Sequence, residues 1–131
     1  MAIFKNICII DDDELFLLVS KSIMEDEDFA ENIHNFEDAK EALNYLNTVA
    51  AKELPEILFL DINMPMMDGW EFMDAIQDSK IVNEIKIYIT SSSINPMDLE
   101  KAERNPSIKG FVSKPLEPNK LKKIAYDRFK N

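Results

Sequence analysis

Glu56-Ile57-Leu58-Phe59-Leu60-Asp61-Ile62-Asn63-Met64-Pro65-Met66-Met67-Asp68-Gly69 passes from an apolar run to an acid, a proline-containing loop and a new helix start. Glu56–Leu60 reads as the clearest strand of the chain and Asp61–Met67 as a loop. A helix follows from about Asp68, with Phe72, Met73 and Ile76 turned inward. Continuous apolar runs mark strands covered on both faces, and period 3.6 marks the helices between them.

Working outward, Ile7–Ile10 is a second such run. Leu15, Leu18, Val19, Ser22 and Ile23 then fall at i, i+3, i+4, i+7 and i+8, which predicts a helix burying that stripe. Asn32–Phe36 is a weak strand, and Ala39, Ala42, Leu43 and Leu46 mark a helix that ends before Pro55. Downstream, Lys86–Thr90 is a strand, and Asn95-Pro96 fits an N-cap with proline at the first helical position. That helix has only Met97, Leu99 and Ala102 to bury, so it should be the most loosely held. Ile108–Val112 is the last strand, and Pro118 opens a final helix with Leu121, Ile124, Ala125 and Phe129 inward. Strand and helix in fivefold alternation imply an α/β fold, a parallel sheet wound with helices on both faces. Right-handed crossovers favour the open, doubly wound form.

The 131 residues suit one domain, 1–131, with no room for an output domain. No apolar run approaches the ~20 residues that span a bilayer, and the N-terminus lacks the basic and apolar regions of a secretory signal. The single Cys8 lies in an apolar run and reads as a core residue. These features predict a cytoplasmic protein without membrane contact. A net charge of −10 argues against nucleic-acid binding. The charge is uneven, because residues 119–131 carry Lys120, Lys122, Lys123, Arg128 and Lys130 against Asp127 alone. Such a run is most often a solvated face, and otherwise a surface for an acidic partner.

Doubly wound sheets bind ligands outside the carboxyl ends of their strands. Those ends carry Asp11-Asp12-Asp13, then Asp61, then Thr90-Ser91-Ser92-Ser93, then Ser113-Lys114-Pro115. Clustered carboxylates repel, so they take up protons or a cation. Oxygen donors with no histidine or cysteine nearby suit Mg²⁺. A carboxylate can attack phosphorus to give an acyl phosphate, with the metal and Lys114 neutralising charge. Taken singly, each group has a plainer reading: Asp13 as a helix N-cap, Asp68-Gly69 as a turn, His34 as a half-buried surface residue. Their joint placement at strand ends favours the site.

The chain resembles the response-regulator receiver family of two-component signalling. The resemblance rests on Ile9-Ile10-Asp11-Asp12-Asp13, on Leu58 through Gly69, on the hydroxyl run after the fourth strand, and on Phe111-Val112-Ser113-Lys114-Pro115. It implies a flavodoxin-like sheet in the order 2-1-3-4-5, with Asp61 as phosphoacceptor. Asp12 would ligate Mg²⁺ directly, Asp11 through water, and Asn63 through its backbone carbonyl. Lys114 would pair with Asp61 and later with the phosphoryl group. Phe111 matches the aromatic switch position, and an ordinary core phenylalanine is its plainer reading. For the switch hydroxyl, residue type favours Thr90, whereas spacing favours Ser91, which lies 30 residues beyond Asp61. Ser91 is the choice and Thr90 the alternative.

The resemblance further implies a histidine kinase or phosphotransfer protein as donor, self-catalysed hydrolysis, and output by protein contact. The face of helix four, strand five and helix five would change on phosphorylation, and it would also be the surface through which two copies could pair. An aspartate-nucleophile phosphatase similar to haloacid dehalogenases is a rival, but that family wants a second acid where this chain has Asn63. A receiver-like module that binds without phosphorylation is a second rival, opposed by the intact acids and Lys114.

Overall fold

The structure, a computed structural model, describes residues 2–93 and 95–128. Its elements run β1 (Phe4–Ile10), α1 (Glu14–Asp26), β2 (Ala30–Phe36), α2 (Ala39–Thr48), β3 (Ile57–Asp61), α3 (Gly69–Gln77), β4 (Lys86–Ser91), α4 (Pro96–Arg104), β5 (Ile108–Ser113) and α5 (Pro118–Arg128). Short 3₁₀ turns at Ala51–Glu53 and Lys80–Glu84, absent from the sequence reading, lead into β3 and β4. All strand pairings are parallel and the order is β2-β1-β3-β4-β5, as the resemblance implied.

Strand alternation divides the core into two layers. Cys8, Ile10, Leu58, Leu60, Ile87 and Ile89 point to α2, α3 and α4, where Ala42, Leu46, Phe72, Met73, Ile76 and Ala102 meet them. Ile7, Ile9, Ile57, Phe59 and Tyr88 point to α1 and α5, against Leu17, Met24, Leu121, Ile124 and Ala125. Central strands therefore need apolar residues at every position, the reason they were visible as unbroken runs. β2 is an edge strand with a mixed burial pattern, which explains its weak signal.

Helix α1 corrects the sequence reading. Its buried residues are Leu17, Ser20 and Met24, with Phe16 and Ile23 half-buried. Leu15 and Leu18 are 67% and 66% exposed, and Val19 and Ser22 are also exposed. Leu15-Phe16-Leu17-Leu18-Val19 is apolar all round, so period 3.6 fits two stripes, and the one containing small Ser20 packs against the sheet. The predicted inward Phe129 lies outside the described residues.

Helix α4 buries only Ala102, and Met97 is 77% exposed. Polar contacts hold it to α3 instead. Trp70 Nε1 donates to Asp98 Oδ1 at 3.1 Å, and Lys101 Nζ lies 4.9 Å from the centre of the Trp70 ring. Among the described residues, no helix is long and apolar enough to cross a membrane.

Candidate functional site

The carboxyl ends of β1, β3, β4 and β5 meet at one edge of the sheet, and the three acids after β1 there do different things. Asp13 caps α1, its Oδ1 accepting from the amides of Leu15 at 3.0 Å and Phe16 at 3.2 Å. Asp11 is fully buried, and its Oδ1 accepts the Asp13 amide at 2.9 Å. Asp12 is exposed. Asp61 ends β3 almost fully buried, and its Oδ1 accepts the Asn63 amide at 3.3 Å. Carboxylate oxygens of Asp11, Asp12 and Asp61 lie within 4.8 Å of one another.

Lys114 reaches this cluster from the loop after β5. Its Nζ is 2.6 Å from Asp11 Oδ2 and 3.6 Å from Asp61 Oδ2. The ring of Phe16 covers the ammonium, with its centre 4.7 Å away. The Lys114 amide donates to Ser91 O at 2.8 Å, so β4 anchors the loop, and the Lys114–Pro115 peptide bond is cis.

One ammonium does not neutralise three carboxylates. Burial pushes the Asp61 carboxyl up to about 6, with the nearby Asp11 charge adding to the rise and Lys114 only partly opposing it. Burial likewise raises Asp11 against the pull of Lys114. Among the described residues, no donor other than this ammonium reaches Asp11 Oδ2. Uncompensated charge, oxygen donors alone and an exposed third acid fit a hard divalent cation such as Mg²⁺. Asp11, Asp12 and Asp61 are the side chains that would hold it, and exposed Asn63 stands two residues beyond Asp61.

The two candidate hydroxyls have opposite surroundings. Thr90 pairs in register with Asp61 and continues the face of Phe59 and Tyr88. Its Oγ1 is buried without a hydrogen-bonding partner. Ser91 turns the other way, donating to Ser93 O at 2.6 Å and accepting from the Ser93 amide at 3.3 Å. Phe111, on β5, is half-buried against the layer formed with α2, α3 and α4.

Two supports escaped the sequence reading. Gly69 donates to Ile62 O at 3.2 Å, and a Cβ there would lie 2.6 Å from Asp61 O and 2.7 Å from Ile62 Cα. The first turn of α3 thus rests directly on the backbone of Asp61, and Asp68 and Glu71 close a capping box around it. Phe16 was hidden within an apolar stretch that gave no sign of which ring would face the site.

Residues 7–126 match the response regulator receiver domain family. The chain belongs to that family. Among solved structures, this receiver domain is similar to a two-component response regulator from Cytophaga hutchinsonii. That likeness has 32% identity and a TM-score of 0.88, and covers 95% of this chain and 96% of that one. A response regulator receiver protein from Dyadobacter fermentans is 25% identical with a TM-score of 0.84, over 97% of this chain and 99% of that one. The probable methanogenesis regulatory protein FilR2 of Methanothrix harundinacea is 27% identical over 121 residues, 91% of this chain and 77% of that protein. Membership places the receiver domain in phosphorylation-dependent, two-component signalling as a switch.

Proposed function

We propose that this receiver domain accepts a phosphoryl group on Asp61 from a histidine kinase or histidine phosphotransfer protein, in a reaction that needs Mg²⁺. A carboxylate oxygen of Asp61 would bond to phosphorus as the bond to the donor's imidazole nitrogen breaks and that nitrogen keeps the electron pair. The observation that carries the reading is the buried Asp61 carboxylate gathered with Asp11, Asp12 and the Lys114 ammonium at one edge of the sheet. Held by Asp11, Asp12, Asp61 and the backbone carbonyl of Asn63, Mg²⁺ would neutralise the charge that collects on the phosphoryl oxygens. Lys114 supplies a positive charge beside both Asp11 and Asp61 and would follow the new phosphoryl group.

Ser91 is proposed as the switch hydroxyl, supported by spacing and by its hydrogen bonds into the loop that leads to α4. The partnerless hydroxyl of Thr90 beside Asp61 supports the alternative. Added phosphoryl charge would draw in the hydroxyl, release the β4–α4 loop and alter the surface of α4, β5 and α5, with Phe111 turning inward. Output is then a protein contact on that surface, with a partner or with a second copy of the chain. A net charge of −10 speaks against nucleic acid as the target, and the lone, buried Cys8 suits the cytoplasm.

The test is intact mass after incubation with acetyl phosphate or phosphoramidate. One phosphoryl group should be gained with Mg²⁺, none without it, and none in Asp61→Asn. No adduct under any condition would leave the interaction-only reading, and rapid turnover of assorted phosphomonoesters would favour a phosphatase.

A further inference from the structure

Lys120 differs from the other lysines of α5. Lys122 and Lys123 are exposed, whereas Lys120 folds back over the β5–α5 loop. Its Nζ donates to Ser113 O at 2.8 Å, Ser113 Oγ at 3.2 Å and Pro115 O at 3.0 Å, and pairs with Glu117 Oε1 at 3.2 Å. The two carbonyls belong to the residues on either side of Lys114. The Lys114 amide between them is held by Ser91 O. A cation in the first turn of a helix opposes the helix dipole, so its place there follows from these acceptors and not from α5.

We propose that Lys120 is a positioning residue for Lys114: its ammonium ties together the peptide groups flanking Lys114, so that the Lys114 side chain is presented to Asp11 and Asp61. Lys120 touches neither the acids nor the phosphoryl group. It acts by removing conformations of the loop in which Lys114 would miss the site. The inference rests on the reading of Asp61 as phosphoacceptor, and one arm of its test does not.

Lys120→Met and Lys120→Arg are compared with the parent protein and in a Lys114→Met background. In the metal-free protein, Lys120→Met should speed amide hydrogen exchange at residues 113–117 while exchange in β1 and β3 stays unchanged. Mg²⁺-dependent phosphoryl uptake from phosphoramidate should slow about tenfold. Lys120→Arg, which keeps several donors, should recover most of both, and Lys120→Met should add no further loss when Lys114 is already Met. Lys120→Gln, with a shorter uncharged arm, gives the same readings should Lys120→Met fail to fold. Parent-like exchange at 113–117, or an undiminished loss in the Lys114→Met background, overturns the proposal. A parent protein that takes up no phosphoryl group overturns the reading of Asp61, and the exchange measurement still decides the role of Lys120.

Discussion

Lys114 lies nearer to Asp11 than to Asp61, at 2.6 Å against 3.6 Å, so the ammonium first compensates the more deeply buried acid and only shares its charge with the second. Lys114→Met leaves both carboxylates without a cation. The metal-free variant should lose roughly 3 kcal/mol at pH 8, the cost of orphaning buried charge. Added Mg²⁺ should restore much of that loss in a urea titration, because it supplies the missing positive charge.

Asp61 carries the reciprocal effect. Its folded-state carboxyl sits at about 6, above its ordinary value, so the folded form holds the proton more tightly than the unfolded chain. The contribution of this group is fully favourable below the unfolded value and is lost as pH rises through about 6. Asp61→Asn should therefore stabilise the metal-free protein by on the order of 2 kcal/mol at pH 8. The gain should shrink as pH falls through about 6 and vanish towards pH ~3, below the ordinary value of 3.8, where the carboxyl is protonated in both states. Thermal unfolding of both proteins across pH checks it, and equal gains at both pH values would contradict the assigned shift.

Gly69→Ala should be costly for a reason unrelated to backbone freedom. The added methyl lands on Asp61 O and Ile62 Cα, backbone atoms that cannot rotate away. A loss of about 1–3 kcal/mol is expected. Phosphoryl uptake measured by intact mass should fall as well, because the acceptor's own peptide group must shift.

Thr90→Val removes a buried hydroxyl that has no partner, so stability should be unchanged or rise by up to ~1 kcal/mol. With Ser91 as the switch hydroxyl, Ser91→Ala should take up phosphoryl yet fail to change the emission of Trp70, the sole tryptophan. Should Thr90→Val alone abolish the fluorescence response, the assignment passes to Thr90.

Legibility of the sequence followed burial on both sides. β1, β3 and β4 are covered by helices on both faces, so Ile7–Ile10, Glu56–Leu60 and Lys86–Thr90 announced themselves. Asp11 and Asp61 were the residues next after two of those runs, whereas Lys114 stands two residues past Ile108–Val112 of the edge strand β5. Where one face is wet or apolarity is uniform, the signal failed, as in α1, whose exposed Leu15 and Leu18 were expected inside. The reach of Lys120 was illegible for another reason. A lysine is read from sequence by its charge, whereas its contacts depend on where a flexible four-carbon stem is led by the turn before it.

The attachment of α4 has a thermodynamic corollary. Most helices here are held by oil-like contacts whose loss would expose core, but α4 buries Ala102 and is otherwise moored by an indole N–H, a carboxylate and an ammonium. Water can replace each of those partners almost in kind. Sliding α4 therefore exchanges one set of polar partners for another and leaves the heat capacity of the molecule nearly unchanged, so its motion should be weakly temperature-dependent and strongly salt-dependent.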